Sequence, residues 1–258
     1  MKFKFSKYQA NGNDFIIFKN FSKEFPKKHN LIKKLCSSRF GIGADGVIFI
    51  ENCKESDFKM VYYNSDGRLG SLCGNGARCS AKFAFDENII SKQTKFMAYD
   101  GLHHCKIDKN VVHLSMNDID DIRTIGDDIV IDSGSPHYVK IVQNIKKTDV
   151  FKNGKKIRNS KLFKKEGINV NFVQIKSKNA YRIRTYERGV ENETLSCGTG
   201  ATAVAVAMHY LNKTYSNKIE ISSEGGKLCV EFNQNKTKYF DIFLIGEVEK
   251  VFLGEIEI

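Results

Sequence analysis

The sequence predicts an α/β (α+β) protein built from two similar domains. Three observations carry that reading. Short apolar runs of strand length alternate with a few helical stretches. The sequence Cys-Gly-x-Gly-Ala occurs twice, at 73–77 and 197–201, each time after a strand and a polar turn. The two copies are 124 residues apart (197 − 73), close to half of the 258-residue chain.

Residues 2–8 and 15–18 read as strands, and Pro26 is placed to open a short helix carrying Leu31, Ile32 and Leu35 on one side. Residues 47–50 and 58–63 read as strands, and the first Cys-Gly-x-Gly-Ala opens a helix running to about Phe85. Strands follow near 94–99, 104–108 and 111–116. The second half repeats the plan, with strands at 128–131, 137–142, 170–175 and 181–186. The second motif then opens an Ala/Val-rich helix to about Leu211. That helix is apolar nearly all round, which predicts burial. Strands near 218–222, 227–232 and 239–244 complete the half. Gly12-Asn13-Asp14-Phe15-Ile16 and Gly134-Ser135-Pro136-His137-Tyr138, each at the start of a strand, are offset by 122 residues (134 − 12). The expected domains are residues 1–116 and 117–250, with the last strand, 251–258, free to return to the first.

Composition narrows the class. Hydrophobic residues make up 41% and charged residues 28%, as in a soluble globular protein. No stretch approaches the roughly 18 apolar residues of a membrane span. The start, Met1-Lys2-Phe3-Lys4-Phe5, lacks the apolar core of a signal peptide. A cytoplasmic protein is expected. Seven cysteines, an odd number without a Cys-x-x-Cys pair, argue against a disulfide framework and a zinc ribbon. The net charge of +11 raises a nucleic-acid partner. The lysines, however, fall in scattered pairs such as Lys33-Lys34 and Lys164-Lys165, the pattern of a solvated surface.

Two cysteines at two helix starts point to chemistry. A helix N-terminus offers N–H groups without intrahelical partners and the positive end of a dipole, which favour a thiolate and a bound carboxylate. Glycines there let a ligand approach the backbone. Two such motifs facing each other would place one sulfur on each side of an α-carbon. One would remove the proton and the other would deliver one, inverting the centre. Cys36, Cys53, Cys79, Cys105 and Cys229 are expected to be core residues.

Over nearly its whole length the chain resembles the diaminopimelate epimerases. The resemblance rests on Asn11-Gly12-Asn13-Asp14-Phe15, Tyr63-Asn64-Ser65-Asp66-Gly67, Cys73-Gly74-Asn75-Gly76-Ala77-Arg78-Cys79 and Gly134-Ser135-Pro136-His137. It continues in Asn169-Val170-Asn171-Phe172-Val173, Tyr186-Glu187-Arg188-Gly189-Val190 and Thr194-Leu195-Ser196-Cys197-Gly198-Thr199-Gly200. It implies two pseudo-symmetric domains, each a curved, mostly antiparallel sheet wrapped around a central helix. It also implies conversion between LL- and meso-diaminopimelate without pyridoxal phosphate or metal, in lysine and peptidoglycan-precursor synthesis. By the same resemblance Cys73 and Cys197 are the two bases, and His137 and Glu187 support them. The backbone at Gly74, Asn75, Gly198 and Thr199 holds the reacting carboxylate. Asn11, Asn64, Asn169, Glu187 and Arg188 hold the distal amino-acid end. Arg188 suits a carboxylate, and asparagine meets either charge. The chain departs from the family at Ser135, where many members carry asparagine; two outcomes are open, a contact to the ligand through a water or a pocket that prefers a related substrate. Gly46 stands where some relatives carry glutamine, so no contact is carried over there.

Two other readings stay open. A racemase of the same fold acting on another amino acid, of proline or histidine type, would share the paired cysteines. A basic nucleic-acid-binding protein would share the charge. A homodimer is an arrangement the sequence leaves open.

Overall fold

The computed structural model describes residues 1–70 and 72–258. It is a sheet-dominated mixed α/β structure with four α-helices among the described residues. The chain divides into two compact units. One comprises Met1–Leu114 with Gly246–Ile258, and the other Ser115–Ile245.

In the first unit β1 (Lys2–Ala10) and β2 (Asn13–Lys19) form an antiparallel hairpin. Its two-residue turn places Asn11 at φ 54 and Gly12 at φ 79, the conformation Asn-Gly supplies most cheaply. A helix, α1 (His29–Cys36), then leads to β3 (Gly46–Glu51), parallel to β2. Antiparallel β4 (Phe58–Asn64) precedes the central helix α2 (Gly74–Asp86). β5 (Gln93–Ala98) runs parallel to β4, and β6 (Gly101–Asp108) and β7 (Val111–Ser115) continue antiparallel. The last strand, taken up below as β17 (Glu249–Glu257), pairs with β1. Helix α2 lies against β1, β2, β3, β4 and β6, so the sheet encloses it. Successive residues of β2 are buried on opposite faces. Ile16 and Phe18 join Phe25, Ile32, Leu35 and Phe49 on the α1 side, and Phe15 comes close to Gly76 of α2 on the other.

The second unit follows a similar sequence of elements with two added short strands, one at its start and one before its central helix. β8 (Ile122–Ile125) and β9 (Asp128–Asp132) form a hairpin, and β10 (Pro136–Ile141) pairs with β9. Helix α3 (Val150–Arg158) connects to β11 (Asn169–Ser177), parallel to β10. Antiparallel β12 (Ala180–Glu187) and the short β13 (Asn192–Thr194) precede the central helix α4 (Gly198–Tyr210). β14 (Lys218–Ser223) is parallel to β12, and β15 (Gly226–Asn235) and β16 (Lys238–Glu247) follow antiparallel. Ala203, Val204, Ala205, Val206, Ala207 and Met208 of α4 are fully buried, as an all-round apolar helix requires.

Two expectations need correction, and some elements are additional to those expected. Pro26 does not open α1; Lys28 caps it and the helix begins at His29. Cys53 and Cys229 are half-buried rather than core residues; Cys53 Sγ donates to Glu55 Oε2 at 3.2 Å. Helix α3 and the strands β8 and β13 were not expected at all. Cys36, Cys79 and Cys105 are buried as expected, and burial pushes all three thiols up, Cys36 to about 12, which makes them poor nucleophiles. Among the described residues, no helix is long and apolar enough to cross a membrane.

Candidate active site

Each unit presents one cysteine as the N-cap of its central helix. Cys73 caps α2 with an extended backbone (φ −109, ψ 116), and its carbonyl accepts the Ala77 N–H at 2.8 Å. Cys197 caps α4 in nearly the same conformation (φ −125, ψ 113), and its carbonyl accepts from Ala201 at 2.9 Å. The next N–H groups, those of Gly74 and Asn75 or of Gly198 and Thr199, have no carbonyl one turn earlier within the helix to pair with. They form an anion site beside each sulfur.

The surroundings of the two sulfurs differ in polarity. Cys73 Sγ lies 3.4 Å from Asn13 Oδ1. Asp45 fixes that amide, because Asn13 Nδ2 donates to its carboxylate at 2.6 Å and so turns Oδ1 toward the sulfur. Asn75 Nδ2 reaches the same oxygen at 3.4 Å. Behind this group lies Arg78, wholly buried. Its Nη2 donates to Asn75 Oδ1 at 2.6 Å and to Asn11 Oδ1 at 2.9 Å. Burial pulls the guanidinium down from its ordinary value, and the neighbouring sulfurs, Cys79 first and then Cys73, oppose that pull. Asn11, Asn75 and Cys73 are thus gathered around one cation. Asn64 holds the turn after β4: its N–H donates to Arg68 O and its carbonyl accepts from Gly67, both at 2.9 Å.

Cys197 Sγ instead accepts the Gly200 N–H at 3.4 Å and stands 3.4 Å from Thr199 Oγ1. Thr199 Oγ1 is 2.9 Å from His137 Nε2 and 3.3 Å from Ser135 Oγ. Ser135 Oγ is 3.0 Å from His137 Nε2 and accepts from Asn169 Nδ2 at 3.1 Å. Ser133 Oγ donates to the Thr199 carbonyl at 2.8 Å and anchors the loop before β10 to the helix start. His137 is completely buried. Burial, with the charge of Arg188 added, pushes its imidazole down to about 3, so the ring is neutral at ordinary pH.

The expected residues Ser135, His137, Asn169, Cys197 and Thr199 therefore form one hydrogen-bonded cluster. Arg188 joins it by its backbone, whose N–H donates to Asn169 Oδ1 at 2.8 Å, while Nη1 donates to the Glu166 carbonyl at 3.1 Å. Glu187 Oε2 accepts from Thr194 Oγ1 at 2.9 Å. Among the described residues, no group of three His, Cys, Asp or Glu side chains is arranged to hold a metal ion.

Sequence reasoning missed Asn13, Asp45, Arg78 and Asn171 as parts of these clusters. One signal was available. Asn169 and Asn171 are two apart on a buried strand and share a face, so both had to find polar partners beside the helix.

The chain matches the family described as diaminopimelate epimerase over residues 5–113 and 129–251. It is 51% identical over 251 residues to the diaminopimelate epimerase of Flavobacterium psychrophilum, covering 96% of this chain and 98% of that one. In fold it is similar to the Bacillus anthracis phenazine biosynthesis protein of the PhzF family, with a TM-score of 0.79, 12% identity and 100% of both chains covered. It is also similar to a probable proline racemase from Agrobacterium radiobacter K84, with a TM-score of 0.66, 15% identity, and 99% and 93% covered.

Proposed function

The chain belongs to the diaminopimelate epimerase family, and from that premise we propose that it interconverts LL- and meso-2,6-diaminopimelate by moving α-protons between two cysteines. The observation that carries the reading is that Cys73 and Cys197 each cap a buried helix beside N–H groups suited to a carboxylate. One cysteine, as thiolate, takes the α-proton as the C–H bond breaks. The electron pair spreads into the carboxylate, where the N–H groups of Gly74 and Asn75 or of Gly198 and Thr199 meet the growing charge. The other cysteine, as thiol, gives its proton to the opposite face of that carbon. Neither pyridoxal phosphate nor a metal is called for.

Asn11, Asn64, Asn169, Glu187 and Arg188 are proposed to hold the distal amino-acid end. The exposed Arg188 side chain suits a carboxylate, and Asn169 is pinned beside it. His137 and Ser135 support Cys197 through Thr199. A cytoplasmic place in lysine and peptidoglycan-precursor synthesis follows from the substrate. A homodimer is supported by the exposed apolar residues Val251, Phe252 and Leu253 on β17.

The test is incubation of LL-diaminopimelate with the purified protein in deuterated water without added cofactor. Deuterium at one α-carbon and meso product are expected. Cys73→Ser and Cys197→Ser should each lower turnover by about 10²- to 10⁴-fold, the usual share of a general acid or base. Exchange of proline or histidine but not of diaminopimelate would overturn the substrate.

A further inference from the structure

His137 Nε2 faces the Thr199 and Ser135 hydroxyls, with the Asn169 NH₂ at the longer distance of 3.5 Å, and the other ring nitrogen faces away from them. Asn171 Nδ2 lies 2.9 Å from His137 Nδ1. The orientation of that amide follows from its other neighbours. Asn171 Oδ1 accepts from Thr185 Oγ1 at 2.9 Å, and Nδ2 donates to the Tyr138 carbonyl at 3.2 Å. Flipping the amide would set two oxygens against each other at Tyr138, so the NH₂ faces the ring.

An NH₂ group cannot accept a hydrogen bond. His137 Nδ1 must then carry no proton, and the neutral ring carries its hydrogen on Nε2. The direction passes on. His137 Nε2–H donates to Thr199 Oγ1 at 2.9 Å. Ser135 Oγ faces two donors, the Asn169 NH₂ and the His137 Nε2–H, so its own hydroxyl hydrogen goes to Thr199 Oγ1 at 3.3 Å. The Thr199 hydroxyl hydrogen is then left for Cys197 Sγ, which also accepts the Gly200 N–H.

We infer that Asn171 is a positioning residue that locks His137 as a neutral Nε2–H donor and so turns the Thr199 hydroxyl toward the Cys197 sulfur. His137 then acts as a fixed donor rather than as a base. A protonated ring would press an Nδ1–H against the Asn171 amide. The inference rests on the reading of Cys197 as a reacting thiol and deepens it, because a sulfur facing two donors is held as the thiolate acceptor of an α-proton.

The test uses the full-length protein with ¹⁵N-labelled histidine. The ring signals of His137 are assigned by their loss in His137→Gln. In the unsubstituted protein they should report protonated Nε2 and bare Nδ1, without titration from about pH 5 to about pH 8. Asn171→Asp has the same shape but presents an acceptor. It should move the ring hydrogen to Nδ1 and lower kcat by about 10- to 100-fold, as losing an orienting partner does, with little change in KM. A ring that titrates or carries Nδ1–H in the unsubstituted protein overturns the inference. So does a variant in which ring and turnover fail to change together. If Asn171→Asp does not fold, the unsubstituted spectrum decides. That spectrum is read without substrate, so its failure is distinct from a failure of the diaminopimelate reading.

Discussion

Cys197 Sγ accepts the N–H of Gly200 at 3.4 Å and lies 3.3 Å from the point where a β-carbon on Gly200 would stand. The same β-carbon would come within 2.5 Å of Asn171 Oδ1, an atom held by Thr185. Gly76, at the matching place of the other motif, meets only the ends of flexible or aromatic side chains at its three nearest contacts: Ile48 Cδ1 and Met60 Cε at 3.3 Å, Phe15 Cε1 at 3.4 Å. Gly200→Ala should therefore cost about 1–3 kcal/mol of stability and displace Asn171, lowering kcat by more than about 10-fold. Gly76→Ala should be close to neutral, since the helix gains about 0.5–1 kcal/mol from alanine. Thermal melts and turnover of the two variants measure this. Equal losses would mean that the two motifs are equally crowded.

The Arg78 guanidinium holds two amide oxygens, Asn75 Oδ1 and Asn11 Oδ1, and so turns both NH₂ groups away from itself. Arg78→Met removes both donors and should destabilise the protein by about 1–3 kcal/mol. It should also raise KM more than it lowers kcat, because the two amides lose their orientation. Arg78→Lys keeps the charge but not the planar fork, and should recover stability better than KM. A lysine variant with unchanged KM would show that only the charge matters.

The sequence carried the two central helices plainly. Glycine punctuation and an Ala/Val run leave few alternatives for α4, and most of its residues are buried. Helix α3 was hard to read because its apolar stripe, Val150 and Ile157, is only two turns long and is interrupted by Gly154, a poor helix former. It is secured instead by Asp149, whose carboxylate accepts the Lys152 N–H at 2.9 Å. Pro26 misled for a related reason: proline suits a helix start but does not oblige one. The cysteines could be singled out from their spacing, whereas the roles of Asn13 and Asn171 could not, although spacing puts Asn171 on the same buried face as Asn169. Those two roles depend on which end of each amide faces the site, and that is decided by Asp45 for Asn13 and by Tyr138 and Thr185 for Asn171.

Ser135 is short for a site residue, yet it is engaged on two sides. It accepts from Asn169 and sits 3.0 Å from His137 Nε2. Ser135→Ala leaves Thr199 as the acceptor for His137, and Asn169 Nδ2 keeps the Pro136 carbonyl at 3.2 Å. The cost should be about 1 kcal/mol of stability, with a fall in kcat smaller than that of a Thr199→Val variant, which breaks the link to Cys197. Steady-state kinetics of the two variants test the order. A larger loss at Ser135 would place the main path to the sulfur through the serine.

The buried His137 also sets a pH dependence of stability. In the folded protein the imidazole is pushed down to about 3 by burial, with Arg188 contributing. In the unfolded chain it titrates near the ordinary value of about 6.5. Between those values the unfolded state binds a proton that the folded state refuses. The contribution is therefore complete above about pH 6.5 and is lost as the pH falls, at about 1.4 kcal/mol per unit. Carboxylates begin to titrate below about pH 5, so the clean window is about pH 5 to 6.5. His137→Gln removes the titrating group but keeps an amide that can donate to Thr199. Calorimetric unfolding at about pH 5.5 in buffers of different ionisation enthalpy should show close to one more proton taken up by the unsubstituted protein than by the variant. Equal uptake would mean that His137 is already charged in the folded state, which its contact with the Asn171 NH₂ forbids.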